Sequence, residues 1–278
     1  MSSDHPPWTD QVIDIGQAQP VSARVYGRRS PSGSAPLVVH MHGGAFVSGS
    51  LDCGSTVAQL LARSGAVVVS LDYPLAPEKP FPHAAEAGHA ALVWVHRHRT
   101  KLAGLGARVY VAGEEAGGNL AAAAALMSRD RQEPELAGQI LLSPMLDPCL
   151  ATESQRQAET GPVGCKWADG WRRYLCRAAN ADHPYAAPGS SMRLGGLPPT
   201  LLVTAQDDPM RDETQSFARR LREANVVVHE VVIPTATGWP SSFLESAGVE
   251  SAWAAALHEP FTQFFKSTES TKTSRSSP

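Results

Sequence analysis

The chain has 278 residues, 42% of them hydrophobic and 18% charged, enough apolar content for one large domain with its own core. A net charge of −3 and a pI near 6.4 give nucleic acid or an anionic membrane no electrostatic foothold. The opening MSSDHPPWTDQ lacks the regions of a signal peptide and no apolar run reaches the ~18 residues of a membrane span, so a cytoplasmic location is expected. Cys53, Cys149, Cys165 and Cys176 form no C-x-x-C pair, and neither zinc nor a disulfide framework is expected.

In chain order, VSARVYGRR and APLVVHMHG read as strands, the second ending in glycines. STVAQLLARSG reads as a helix with a serine N-cap and a glycine stop. The strand AVVVSLDY, the helix AAEAGHAALVWVHRH and the strand ARVYVAG follow, and a small-residue helix leaves the last of these. AGQILLS, PPTLLVTA and NVVVHEVVI supply three further strands, with helices in DETQSFARRLREA and ESAWAAALHEPFTQFFK. Continuous apolar strands alternating with helices predict an α/β class with a mainly parallel sheet covered on both faces. Residues 1–20 are polar and residues 145–195 weakly periodic, so both are expected to form a lid over the carboxyl ends of the strands. One domain over residues 1–266 and a disordered tail over 267–278 are expected.

Four motifs carry the chemistry. MHGGAF, Met41 to Phe46, follows a strand, where glycines let backbone N–H groups converge on one point. DYPLAPEKPFP, Asp72 to Pro82, follows the next strand, and DDPMRDE, Asp207 to Glu213, ends a later one. Between them Gly113-Glu114-Glu115-Ala116-Gly117 joins a strand to a helix in the frame of G-x-S-x-G. In this order the set resembles the hormone-sensitive-lipase-like branch of the α/β-hydrolases, a family of bacterial carboxylesterases, over roughly residues 35–266. The resemblance implies an α/β-hydrolase fold and an oxyanion hole from Gly43, Gly44 and the Ala116 amide. It implies Asp208 as the triad acid, and His42, Phe46, Tyr73, Trp239 and Ser241 as the residues around the substrate.

Two departures stand out. Glu115 occupies the position of the family's nucleophilic serine, and matching TGWPSSF to the family's G-x-x-H-G-F puts Ser241 where its general-base histidine belongs. A carboxylate attacking an ester yields a mixed anhydride more reactive than the ester, and ordinary serine-esterase activity is therefore not expected. Glu115 as an acid/base beside an HGG oxyanion hole suits lyase, isomerase or cyclase chemistry on a small carbonyl compound, the leading expectation. A ligand-binding pseudoenzyme is the first alternative and a hydrolase with a rewired site the second. His183, His229 and His258 are weighed as replacements for the base and set aside as lid, strand and terminal-helix residues. His40 and His42 share a strand face with no third ligand at telling spacing, so no metal is expected. No cofactor is expected, and the partner is expected to be a small, largely apolar carbonyl-containing molecule; a homodimer is left open. Trp167 and Trp171 are read as lid core. The Glu115 carboxylate is expected to lean towards the amides of Gly43, Gly44 and Ala116.

Overall fold

Eight strands build one sheet in the order β1-β2-β4-β3-β5-β6-β7-β8. The computed structural model describes residues 6–16, 20–29, 33–158, 164–245 and 250–269. The strands are β1 (Trp8–Ile13), β2 (Val21–Tyr26), β3 (Leu37–Met41), β4 (Val67–Leu71), β5 (Val109–Glu114), β6 (Gly138–Leu142), β7 (Thr200–Ala205) and β8 (Val228–Ile233). β1 pairs antiparallel with β2 and β2 antiparallel with β4 at one edge, and the six strands β3 through β8 run parallel. The helices are α1 (Ser55–Arg63), α2 (His83–Ala103), α3 (Ala116–Arg131), α4 (Glu153–Ala158), α5 (Gly164–Leu175), α6 (Arg211–Glu223) and α7 (Ala252–Glu269). This is the α/β-hydrolase arrangement.

The period of two along each strand divides the core in two layers. Leu37, Val39 and Met41 of β3 face the layer that includes α2, α3 and α6, together with Val67, Val69, Leu71, Val109 and Val111. Val38, Val68, Tyr110, Ala112 and Ile140 face α1 and α7. With both faces buried, β3 through β7 read as largely apolar runs rather than alternating ones.

Three boundaries differ from the sequence reading. Residues 8–13, expected in the lid, form β1, in register from Trp8 opposite Tyr26 to Ile13 opposite Val21. Their polarity belongs to an edge strand: Arg24 of β2 binds Asp10 at 2.7 Å and sits 4.1 Å over the Trp8 ring. Helix α1 starts at Ser55 itself, with Gly54 as its N-cap and no side-chain cap. Residues 267–269, expected in a disordered tail, belong to α7, which continues to Glu269, and buried Thr268 hydrogen-bonds Tyr110 at 2.8 Å. Residues 270–278 lie outside the described residues, as do residues 1–5 and 17–19 of the expected N-terminal lid. Among the described residues no helix is long and apolar enough to cross a membrane.

The elbow between β5 and α3 depends on small residues. A Cβ on Gly117 would lie 2.0 Å from the Met41 carbonyl oxygen, and one on Gly113 would lie 2.2 Å from that of Gly117. In an ordinary helix Gly→Ala gains up to ~1 kcal/mol. Gly117→Ala is therefore expected to reverse that sign and cost several kcal/mol, on the order of an overpacked core. Gly195→Ala, at an exposed site where the nearest atom is 3.8 Å away, serves as the neutral control. Urea denaturation of the two variants checks this; equal midpoints would contradict the tight elbow.

Candidate active site

Glu115 sits between β5 and α3 with φ 52° and ψ −116°, a left-handed conformation unfavourable for any residue with a Cβ. Neighbouring backbone holds it there: its N–H donates to the Leu142 carbonyl at 3.0 Å, and its carbonyl accepts from Met145 at 3.0 Å. The conformation turns the side chain toward the loop after β3, and the residue is 2% exposed. A charge so buried must be paired or hydrogen-bonded.

The loop supplies the partners. Oε2 accepts from the Gly44 N–H and from the Ala45 N–H at 3.0 Å, while Oε1 accepts from the Trp167 indole N–H at 2.9 Å. Lys166 Nζ stands 4.0 Å from Oε1. The expected lean toward the loop amides is present, with a changed donor set. Gly43 gives its N–H to Glu114 Oε1 at 3.0 Å instead, and Ala45 takes the place expected for Ala116. The reason is local: two adjacent carboxylates meet one loop, and each takes the N–H groups on its own side.

Glu114, also buried, is held by His40 Nε2 at 2.7 Å, and His40 Nδ1 is 2.9 Å from Ser70 Oγ. A neutral His40 that donates to Glu114 and accepts from Ser70 satisfies both bonds. His42 braces the loop: Nδ1 lies 2.7 Å from the Gly43 carbonyl, and its ring stacks on Tyr73 at 4.3 Å. The Tyr73 hydroxyl donates to the His42 carbonyl at 2.7 Å. Burial pushes the His42 pKa down, partly offset by the bond to Gly43, so His42 is neutral near pH 7. Both residues support the loop from beneath it.

Helix α5 covers the site. Trp167, Gly170, Trp171 and Tyr174 recur at helical spacing and face the loop. A Cβ on Gly170 would lie 2.3 Å from the Ala45 carbonyl oxygen, and Phe46 stacks on Tyr174 at 4.1 Å beside Trp171 at 4.9 Å. Trp167 and Trp171, read from sequence as lid core, are buried in the core as expected, and Trp167 is in addition a direct partner of Glu115. Neither it nor Lys166 was visible as a site residue from its motif; the spacing of Trp167, Trp171 and Tyr174 was the available signal.

Three expected residues stand apart from Glu115. Asp208 accepts from Thr204 Oγ1 at 2.6 Å, Ser143 Oγ at 2.7 Å and the Met210 N–H at 2.9 Å, and bonds no histidine. Trp239, expected at the substrate, is 3% exposed in the opposite core layer against Phe243 and Trp253. Its apolar ring fills the space between the 237–243 loop and α7. Ser241 is exposed at the start of a short 3-10 turn, Ser241–Leu244. His229 packs on Phe264, His258 lies 3.2 Å from Ser64 Oγ, and His183 lies against Phe81 and Tyr185. Among the described residues no group of three or more His, Cys, Asp or Glu is placed to hold a metal.

The parallel sheet, the strained elbow after β5 and the donor loop after β3 define a hydrolase scaffold. The alpha/beta hydrolase fold family matches residues 38–237, and the chain belongs to that family. It is 38% identical to the carboxylic ester hydrolase LipN of Mycobacterium tuberculosis over 77% of this chain and 59% of that protein. It is 35% identical to esterase LipI of the same organism, over 78% of this chain and 71% of LipI. The chain thus spans about three-fifths of LipN. A solved bacterial heroin esterase superposes with a TM-score of 0.82 at 30% identity, covering 95% of this chain and 86% of that one. These relatives overturn the leading expectation of a lyase, isomerase or cyclase, and also the pseudoenzyme alternative: they point to hydrolase function. That expectation weighed two residues above the rest of a scaffold shared with esterases.

Two predictions follow from this geometry. Burial pushes the Asp208 carboxyl up to about 6 against the pull of Thr204, Ser143 and Met210. A raised acid binds its proton more tightly in the folded state, so its contribution to stability falls as pH rises from about 4 to about 6. Relative to wild type, Asp208→Asn is expected to gain on the order of 2–3 kcal/mol across that window, read as a growing difference in Tm. A constant difference would contradict the assignment. Separately, Trp167→Phe removes one donor from a buried carboxylate and is expected to cost about 1–3 kcal/mol by chemical denaturation. The cost should shrink in a Glu115→Ala background, where there is no carboxylate to satisfy.

Proposed function

We propose that the chain is a carboxylic-ester hydrolase with a rewired site, in which Glu115 stands at the position of the family's serine but acts as general base, and no histidine serves as base. The loop that follows β8 supports the second half of this reading, since residues 234–251 contain no histidine. The observation that carries the proposal is the convergence of the Gly44 and Ala45 N–H groups on the side chain of a strained elbow residue. Those donors suit the oxygen that gains charge when an ester is attacked.

Direct attack by water fits these groups. The substrate carbonyl oxygen takes the two amides, and Glu115 gives up Oε2 from them. The freed carboxylate accepts a proton from water as the water oxygen bonds to the acyl carbon. When the tetrahedral intermediate collapses, the bond to the alkoxy oxygen breaks, and Glu115 returns the proton to that leaving group. No mixed anhydride forms. The hydrogen bonds that orient Glu115 also occupy the lone pairs a proton would use, so the base works only after substrate has displaced it. Phe46, Trp171 and Tyr174 pack on one another beside the loop, and this apolar setting suits a small, largely apolar ester.

Steady-state hydrolysis of p-nitrophenyl acetate tests this. Glu115→Gln is expected to lower kcat/KM by roughly 10²–10⁴-fold, the usual contribution of a general base. Because no acyl-enzyme forms, pre-steady-state traces should lack a burst and an organophosphonate should add no mass to the protein. Wild-type turnover no faster than on an unrelated protein surface, or activity retained in Glu115→Gln, would falsify the proposal.

A further inference from the structure

We propose that the loop 43–46 and helix α5 form a carboxylate-binding cradle, of which Glu115 is the built-in occupant. The inference deepens the hydrolase reading, and its functional consequence rests on that reading: hydrolysis of a carboxylic ester releases the group this cradle holds.

Four features define the cradle. Gly44 and Ala45 present adjacent N–H groups to one carboxylate oxygen, and the Trp167 indole N–H addresses the other. Lys166, with 38% of its side chain exposed, stands 4.0 Å from that second oxygen and places a positive charge at the mouth. Donors to both oxygens and a nearby cation match a planar anion with two acceptor atoms. A single carbonyl oxygen needs the two amides alone. The indole and the ammonium are what extend the site from an oxyanion to a carboxylate.

Geometry holds these donors in place independently of Glu115. The loop is fixed by Tyr73 bonded to the His42 carbonyl and by Gly43 bonded to Glu114. Gly170 of α5 packs directly on Ala45, and Phe46 stacks on Tyr174, so the helix that carries Trp167 is seated on the loop by contacts that do not involve Glu115. Removing the Glu115 side chain therefore leaves a formed receptor of one carboxylate's size. In the intact protein an external carboxylate must displace an internal one already positioned beside the donors, and its apparent affinity is correspondingly weak.

The full chain carrying Glu115→Ala is titrated with sodium acetate against sodium chloride at constant ionic strength, and melting is followed by circular dichroism. Acetate at about 100 mM is expected to raise the Tm by ~2 °C over chloride, saturably, while wild type responds less than a third as much. Glu115→Ala combined with Trp167→Phe should lose most of the acetate response. Should the alanine variant not fold, Glu115→Ser, which also lacks a carboxylate, is titrated in the same way. Equal responses in wild type and variant, no acetate-specific shift, or a shift independent of Trp167 would overturn the cradle. Acetate binding without ester turnover would count against the hydrolase reading alone, and turnover without acetate binding against this inference alone.

Discussion

Two consecutive carboxylates, Glu114 and Glu115, are buried at the tip of β5, and most of the surrounding architecture satisfies them. Each would cost several kcal/mol if left unpaired. Because successive strand residues point to opposite faces, one carboxylate meets His40 and the other would continue into the sheet's far end. The turn at Glu115, with φ 52°, redirects the second side chain to the loop after β3. Gly43 then serves one carboxylate, while Gly44 and Ala45 serve the other. Without that division of donors, the loop could not sit against the elbow.

The loop itself stores strain. Ala45 and Phe46 both have positive φ, at 50° and 66°, although neither is glycine. Such residues persist only where surrounding contacts over-determine them. Here the contacts come from three directions. Tyr73 and His42 brace the loop from below, Glu114 holds the Gly43 amide from the side, and Tyr174 with Gly170 closes on it from α5. The root of the segment that carries α5 is tied to α3 as well: Asn119 Nδ2 donates to the Met145 carbonyl at 2.8 Å and to the Ala186 carbonyl at 3.1 Å. Elbow, loop and cover thus form one mechanical unit.

Most of the sheet was legible because its signal is local. A run such as Val67–Leu71 is buried at every position and apolar at all but Ser70, and burial on both faces is the simple reason. What failed was reading the position of a segment from its polarity. Trp8–Ile13 is polar because an edge strand has a face toward water, and composition alone does not separate that from a lid. The site divides in the same way. Gly44 and Glu115 could be placed together because a motif fixes both backbones. Ala45 was missed because the third donor was expected on the elbow, at Ala116, rather than one residue further along the loop, and Trp167 because its contact with Glu115 spans 52 positions that include α3, β6 and α4.

The functional correction has a related physical origin. Ranking a rewired hydrolase below non-hydrolytic chemistry, because Glu115 and Ser241 stand where the family has its serine and histidine, treats catalysis as a property of those two side chains. A large part of it comes from preorganised donors aimed at the developing oxyanion, and these are backbone groups set by the fold. In the proposed hydrolase Gly44 and Ala45 would take that role whatever residue 115 is, provided its side chain can leave them. The decisive quantity is therefore the free-energy difference between Glu115 bound on the amides and Glu115 displaced by a substrate oxygen. Trp167 and Lys166 hold Glu115 through its other oxygen, Oε1, and so bear on how easily Oε2 departs. Control of this site consequently lies as much in α5 as in the elbow.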